Sequence, residues 1–62
     1  MKNPDRLDEF YDRLKKVHKE KYPDLRFGQF MMCVLGDMMS YGRDPFFPEE
    51  DEMIKFIEEW RI

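Results

Sequence analysis

One segment of this chain, residues 25–41, is apolar on almost every side when it is drawn as a helix. One face carries mostly large side chains: Phe27, Phe30, Met31, Val34, Met38 and Tyr41. The opposite face is largely apolar as well: Leu25, Met32, Leu35 and Met39. Such a helix is normally buried all round, but the chain has only 62 residues, and two short flanking segments can hardly enclose it. We therefore expect a partner surface, most simply a second copy of the chain.

Chain length and cysteine content point in the same direction. Residues 1–62 are expected to form one small domain, near the size limit where folding buries only ~60% of the surface that the unfolded chain exposes. An internal disulfide is excluded because Cys33 is the only cysteine. A zinc site would need about four Cys or His ligands, and only Cys33 and His18 exist, so neither a metal nor a cofactor is expected. Oligomerisation is the remaining means of stabilising so small a chain.

The sequence has no feature typical of secretion or of membrane insertion. Met1 is followed by charged residues rather than by the apolar run of a secretory signal. The segment 25–41 is a little short for a membrane span, and it contains Arg26 and Asp37, both of which are costly in lipid. We therefore expect a cytoplasmic protein with no membrane contact.

The periodicity of apolar residues predicts an all-α fold with three helices, at roughly residues 4–21, 25–41 and 49–61. Pro23 separates the first two helices, because proline disfavours the helical region for the residue that precedes it. Gly42 supplies the left-handed position that commonly ends a helix. The expected architecture is a compact three-helix domain that dimerises through its central helix.

Two local features are also predicted. Asp24 is expected to cap the central helix, since a carboxylate can accept hydrogen bonds from the first free amides. Phe46 and Phe47 lie between Pro45 and Pro48. Because adjacent aromatic side chains are unfavourable in water, we expect these two to fold back as a lid over the core.

The predicted interface lies on the central helix. Gly28 and Gly36 lie on one side of it with Met32 between them, and each glycine costs ~1 kcal/mol relative to alanine, which suggests close approach of another backbone. Methionine suits both irregular cores and adaptable binding surfaces. The residues expected to contact a partner are Phe27, Gly28, Phe30, Met31, Val34 and Met38. Since no catalytic motif is present, the first functional prediction is a non-catalytic, homodimeric protein-binding module, although the same surface could bind a different protein.

The formal charge of −3 hides an asymmetry along the chain. Residues 1–23 hold seven Lys and Arg against five Asp and Glu, whereas residues 44–62 hold two against seven. Four consecutive acidic residues open the third helix: Glu49, Glu50, Asp51 and Glu52. They could mimic nucleic-acid phosphate in a partner's basic groove, but the favoured interpretation is that they interact with the exposed amides of the first helical turn. Direct nucleic-acid binding is not expected, because the overall charge is negative and no cluster of base-reading side chains is present.

His18 and Cys33 are the other residues that could carry chemistry. His18 lies on the apolar face of the first helix without a second histidine or a catalytic serine motif, so we interpret it as a packed structural residue. Cys33 lies beside the narrow polar strip of the central helix. We expect it to be a small core residue, with a reactive thiol as the alternative.

Two segments, YPDLRFGQF at residues 22–30 and DPFFPEEDE at residues 44–52, carry a resemblance. They resemble a family of small uncharacterised proteins from bacterial genomes and mobile elements, in which a PDLR-hydrophobic-GQ segment precedes a second helix and a D-x-F segment leads into an acidic final helix. The resemblance brings no established activity. It implies an acidic phage or prophage factor that binds a host protein, and the alternative functional prediction is therefore an inhibitor that mimics nucleic-acid charge.

Overall fold

The computed structural model describes residues 2–62, which form three α-helices. These are α1 at Arg6–Lys21, α2 at Phe27–Ser40 and α3 at Glu50–Glu59. No strand occurs among the described residues, so the all-α, three-helix prediction is confirmed. Within the same residues, no helix combines the length and the apolar character that crossing a membrane requires.

A single apolar core joins the three helices. α1 and α3 pack directly on each other, and α2 contributes residues to the same cluster. The buried side chains of this cluster are Leu14, Val17, Phe30, Val34, Ile54, Ile57 and Trp60. On α2, the side chains of Phe30, Val34 and Met38 are all 0% exposed. Because these three residues recur every four positions, they form one continuous buried stripe along the helix.

The helices begin slightly later than predicted. α1 and α2 each start two residues further along the chain, at Arg6 and Phe27. The N-cap residue of α2 is Arg26 rather than Asp24. The backbone N–H of Arg26 donates a 2.9 Å hydrogen bond to Oε1 of Gln29. The prediction that Asp24 caps α2 is therefore wrong, because the side chain of Gln29 reaches back to supply the acceptor instead.

The end of α2 follows the sequence prediction. Gly42 has a φ of +81°, in the left-handed region. Its N–H donates to the carbonyl of Met39 at 2.9 Å, and the N–H of Arg43 donates to the carbonyl of Met38 at 3.1 Å. This pair of bonds is a Schellman motif, so the prediction for Gly42 is confirmed.

The connection between α2 and α3 does not form the expected lid. Phe46 and Phe47 are 84% and 73% exposed. The backbone N–H groups of both residues donate to Asp44, so the turn closes on itself rather than on the core. The two rings pack edge to face with their centroids 5.1 Å apart. They therefore cover each other in part, and the lid prediction is wrong.

Candidate protein interface

Trp60, which follows the last residue of α3, packs on the inner side of α2, that is, the side that carries the buried stripe. Its side chain is 6% exposed, and its Nε1–H donates a 2.6 Å hydrogen bond to Oδ2 of Asp37. Its backbone carbonyl accepts a 3.0 Å bond from the hydroxyl of Tyr22. The ring centroids of Trp60 and Phe30 are 6.0 Å apart. On the inner side of α2, the ring of Phe30 thus packs against Trp60, and the carboxylate of Asp37 is hydrogen-bonded to it.

His18 is packed against this same region. Its ring stacks on that of Phe30, with the centroids 4.8 Å apart, and its Nε2 lies 2.6 Å from the carbonyl oxygen of Leu25. Since a carbonyl can only accept, Nε2 carries a proton and donates it. His18 therefore joins α1 to the chain just before α2, as the structural interpretation predicted.

The residues predicted to form an interface do not share one environment. Phe30, Val34 and Met38 are fully buried, and Met31 is half-buried. Phe27 is 65% exposed, and Gly28 is also exposed. The three buried side chains are not accessible to a partner in the folded chain, because they fill the core beneath α2. Any contact through α2 must therefore be made without Phe30, Val34 and Met38.

The accessible surface of α2 lies on the side opposite the buried stripe. We call it the outward face, and it consists of Gly28, Met32, Leu35, Gly36 and Met39. Leu35 and Gly36 are half-buried, and Leu35 also packs against the core. Met32 and Met39 are 78% and 58% exposed. The only charged residue within α2 is Asp37, which is bonded to Trp60. The outward face is therefore an apolar strip without charge.

Within residues 2–62, nothing packs closely over the two glycines of this face. A Cβ atom built on Gly28 or Gly36 would meet no heavy atom within 4 Å, apart from its own helical backbone and chain neighbours. The close backbone approach that these glycines suggested is therefore not made inside the protomer.

Cys33 is also exposed on α2. The expectation that it belongs to the core is wrong, because Cys33 lies to one side of the buried stripe of Phe30, Val34 and Met38 and is exposed to solvent. On an α-helix, Cys33 lies about one third of a turn from the centre of the outward face. It therefore offers a position on α2 at which the surface can be altered without changing that face.

The acidic run at the start of α3 interacts with bases of the same chain. Three of its four carboxylates form ion pairs: Glu49 with Lys2, Glu50 with Arg6 at 2.8 Å and Glu52 with Arg43 at 3.8 Å. The hydrogen bond from Arg6 holds the pKa of Glu50 below its usual range. A phosphate mimic must present its carboxylates to an external basic groove, so these pairs do not favour that function.

One further ion pair joins α1 to α3. Arg13 donates from Nε to Oε2 of Glu58 at 2.8 Å and from Nη2 to Oε1 at 2.5 Å. This bidentate hydrogen bond is the main reason that the pKa of Glu58 lies below its usual range. Lys21 donates to the backbone carbonyl of Glu58 at 2.7 Å. Arg13 and Lys21 of α1 therefore hold α1 against α3 through their contacts with Glu58.

Neither a search for metal-binding groups nor a comparison with known proteins adds to this description of the interface. Within residues 2–62, no group of three or more His, Cys, Asp or Glu side chains is placed to hold a metal ion. No protein-family model, curated protein or solved structure matches the chain.

Proposed function

We propose that this chain is a non-catalytic protein-binding module that forms a homodimer through the outward face of α2. One observation carries the proposal. The face combines Met32 and Met39, which are 78% and 58% exposed, with two glycines at which an added Cβ would meet no heavy atom of residues 2–62 within 4 Å, apart from its own helical backbone and chain neighbours. Removing apolar surface from water stabilises an association by ~25 cal/mol per Å², and no charged group on this face opposes its burial.

The outward face runs along the whole of α2. α2 has 14 residues, which corresponds to a length of ~21 Å. A stable pair buries ~800 Å² per partner, and the exposed side chains of Met32 and Met39 supply part of that area. Methionine side chains can adjust their shape to fill such a contact.

The spacing of the glycines favours an antiparallel pair. Gly28 and Gly36 each lie four residues from Met32. If a two-fold axis passes near Met32, Gly28 of one copy faces Gly36 of the other. A two-fold interface must be self-complementary in this way. An absence of side chains at both points lets the two helices approach closely.

The proposal is tested by placing charge on the outward face. The variant Met32→Glu with Met39→Glu should have the mass of one chain by light scattering and should keep its helical circular dichroism, because both side chains are exposed in the protomer. The matched control Cys33→Glu adds a carboxylate to an exposed position of α2 off the face and should keep the mass of two chains. A double variant that retains the dimeric mass would contradict the proposal.

A further inference from the structure

A groove of about 240 Å³ opens between α1 and the first turn of α2. It is lined by four residues of α1 and two of α2: Tyr11, Leu14, Lys15, His18, Phe27 and Phe30. Tyr11 and Phe27 are exposed, whereas Leu14 and Phe30 belong to the buried core. The groove therefore leads from solvent to the core, on the side of α2 that faces α1 and not on the outward face.

Part of the lining is already fixed in position. The ring of His18 is held by its 2.6 Å hydrogen bond to the carbonyl of Leu25 and by stacking on Phe30. The ring of Tyr11 packs edge to face on that of Phe10, with the centroids 5.1 Å apart. A ligand therefore meets preformed aromatic walls, and binding does not incur the full cost of ordering them.

The charge in the groove is positive. Lys15 is the only Lys or Arg among the lining residues, and no Asp or Glu lines the groove. Among residues 2–62, the ammonium group of Lys15 forms no ion pair within 4 Å, not even with Asp12, which precedes it by three residues on α1. An anionic group bound beside Lys15 would therefore meet a positive charge that the chain leaves unpaired, which favours an anion over a neutral or cationic ligand.

The size and the lining of the groove limit the rest of the ligand. Pockets for drug-sized molecules measure ~300–1,000 Å³, so a groove of about 240 Å³ suits a smaller molecule, of no more than about two rings. Aromatic side chains pack favourably on other aromatic rings, edge to face or offset. A flat ring with one carboxylate satisfies both the apolar lining and the single ammonium group.

We infer that the α1–α2 groove binds a small aromatic carboxylate. The ring packs against Tyr11 and Phe27, and the carboxylate pairs with Lys15. The ligand is a free small molecule rather than part of a protein. The inference goes beyond the proposed dimer and does not depend on it, because none of the residues that line the groove belongs to the outward face.

The ligand class is tested with indole-3-acetate, titrated into the native full chain and followed by NMR. We expect saturable chemical-shift changes at Tyr11, Lys15 and Phe27, with a dissociation constant on the order of 1 mM, as is usual for so small a ligand. Indole-3-acetamide has the same ring without the charge and should bind several-fold more weakly. Acetate has the charge without the ring and should cause no saturable shift at these residues.

The role of Lys15 is tested by Lys15→Gln, which should weaken indole-3-acetate binding several-fold. The matched control is Lys16→Gln, because Lys16 is also exposed but does not line the groove; its charge acts on Glu58 of α3 instead. This control should leave the affinity unchanged. Both variants should keep the circular dichroism of the native chain.

Four results would overturn the inference. They are the absence of a saturable shift in the native chain, equal binding of indole-3-acetate and its amide, equal affinities of Lys15→Gln and Lys16→Gln, and tighter binding of the peptide acetyl-Gly-Trp. This peptide presents the same ring and a carboxylate at a chain end, so its tighter binding would indicate a protein terminus as the ligand. Each result is independent of the proposed function, which is tested by the mass of the chain.

Discussion

Trp60 donates a 2.6 Å hydrogen bond from Nε1 to Oδ2 of Asp37, which ties the end of α3 to α2. The carbonyl of Trp60 accepts a 3.0 Å bond from the hydroxyl of Tyr22, the residue that ends α1. Trp60 is thus hydrogen-bonded both to α2 and to the residue that follows α1. Because its indole packs on the inner side of α2, a partner can meet only the sides of that helix that face solvent, which include the outward face.

Removing the indole donor should destabilise the fold. Trp60→Phe leaves the half-buried carboxylate of Asp37 without its partner, and the expected loss is ~1–3 kcal/mol in the free energy of unfolding. Tyr22→Phe removes only the bond to the Trp60 carbonyl and should cost less, ~0.5–1.5 kcal/mol. Urea unfolding of both variants checks that Trp60→Phe loses more stability than Tyr22→Phe. Equal stability of Trp60→Phe and the native chain would contradict the role given to this contact.

Replacing a glycine of the outward face should separate folding from association. Gly36→Ala should stabilise the isolated protomer by ~0.5–1 kcal/mol, because alanine is the better helix former and its Cβ meets nothing within 4 Å. The same methyl group should weaken the dimer, since it keeps two backbones apart. Thermal unfolding at low concentration and the dissociation constant by sedimentation measure the two effects. A stabilised protomer with unchanged association would show that Gly36 does not lie in the contact.

Gly42→Ala provides the matched control for that substitution. A Cβ at this position also meets nothing within 4 Å, but the φ of Gly42 is +81°. Alanine is strained in this conformation, so we expect a loss of ~1 kcal/mol. Stabilisation by alanine at this position would mean that the end of α2 is not held in the left-handed region.

The exposed aromatic pair should contribute little to folding. Phe46→Ser with Phe47→Ser should change the free energy of unfolding by less than ~0.5 kcal/mol per residue when measured in the monomeric Met32→Glu, Met39→Glu background. Phe30→Ala in the same background should cost ~3–5 kcal/mol, because Phe30 is 0% exposed. A large loss of unfolding free energy from the serine substitutions would indicate that Phe46 and Phe47 cover the core, as the sequence predicted.

Acid should weaken the contact between α1 and α3. The pKa of Glu58 is lower in the folded chain, mainly through its hydrogen bond from Arg13. Its charge therefore stabilises the fold above the unfolded glutamate value of ~4.3, and this contribution is lost as the pH falls through the folded pKa. Glu58→Gln should lower stability at neutral pH and reduce its dependence on acid.

Urea unfolding at a series of pH values from 7 downward checks this expectation. The neighbouring exposed residue Glu59 gives the control, since Glu59→Gln removes one carboxylate that makes no ion pair within 4 Å in the described part of the chain. If the free energy of unfolding depends on acid identically in Glu58→Gln and in the native chain, Glu58 does not contribute to that dependence.

Local sequence patterns predicted the helices because the relevant interactions are short-range. The periodicity of apolar residues, Pro23 and Gly42 were sufficient to indicate three helices and the end of α2. The start of α2 was missed because two acceptors compete there, and Gln29 rather than Asp24 supplies the bond to Arg26.

The choice of buried face could not be read from the sequence, because both sides of α2 are apolar. It depends on Trp60, which lies 23 residues from Asp37 in the chain. A lone aspartate in an apolar helix was the signal for such a partner, but spacing alone does not say which donor reaches it. The partners of the acidic run, Lys2 and Arg6, are distant in sequence for the same reason.

The most direct measurement is the mass of the native chain by sedimentation equilibrium, from ~1 μM to ~1 mM, the range over which weak and moderate dimers dissociate. If the outward face of α2 binds a second copy, the mass should rise from that of one chain towards that of two and should level off there, because a two-fold interface closes. The mass of a single folded chain at every concentration would contradict self-association through α2.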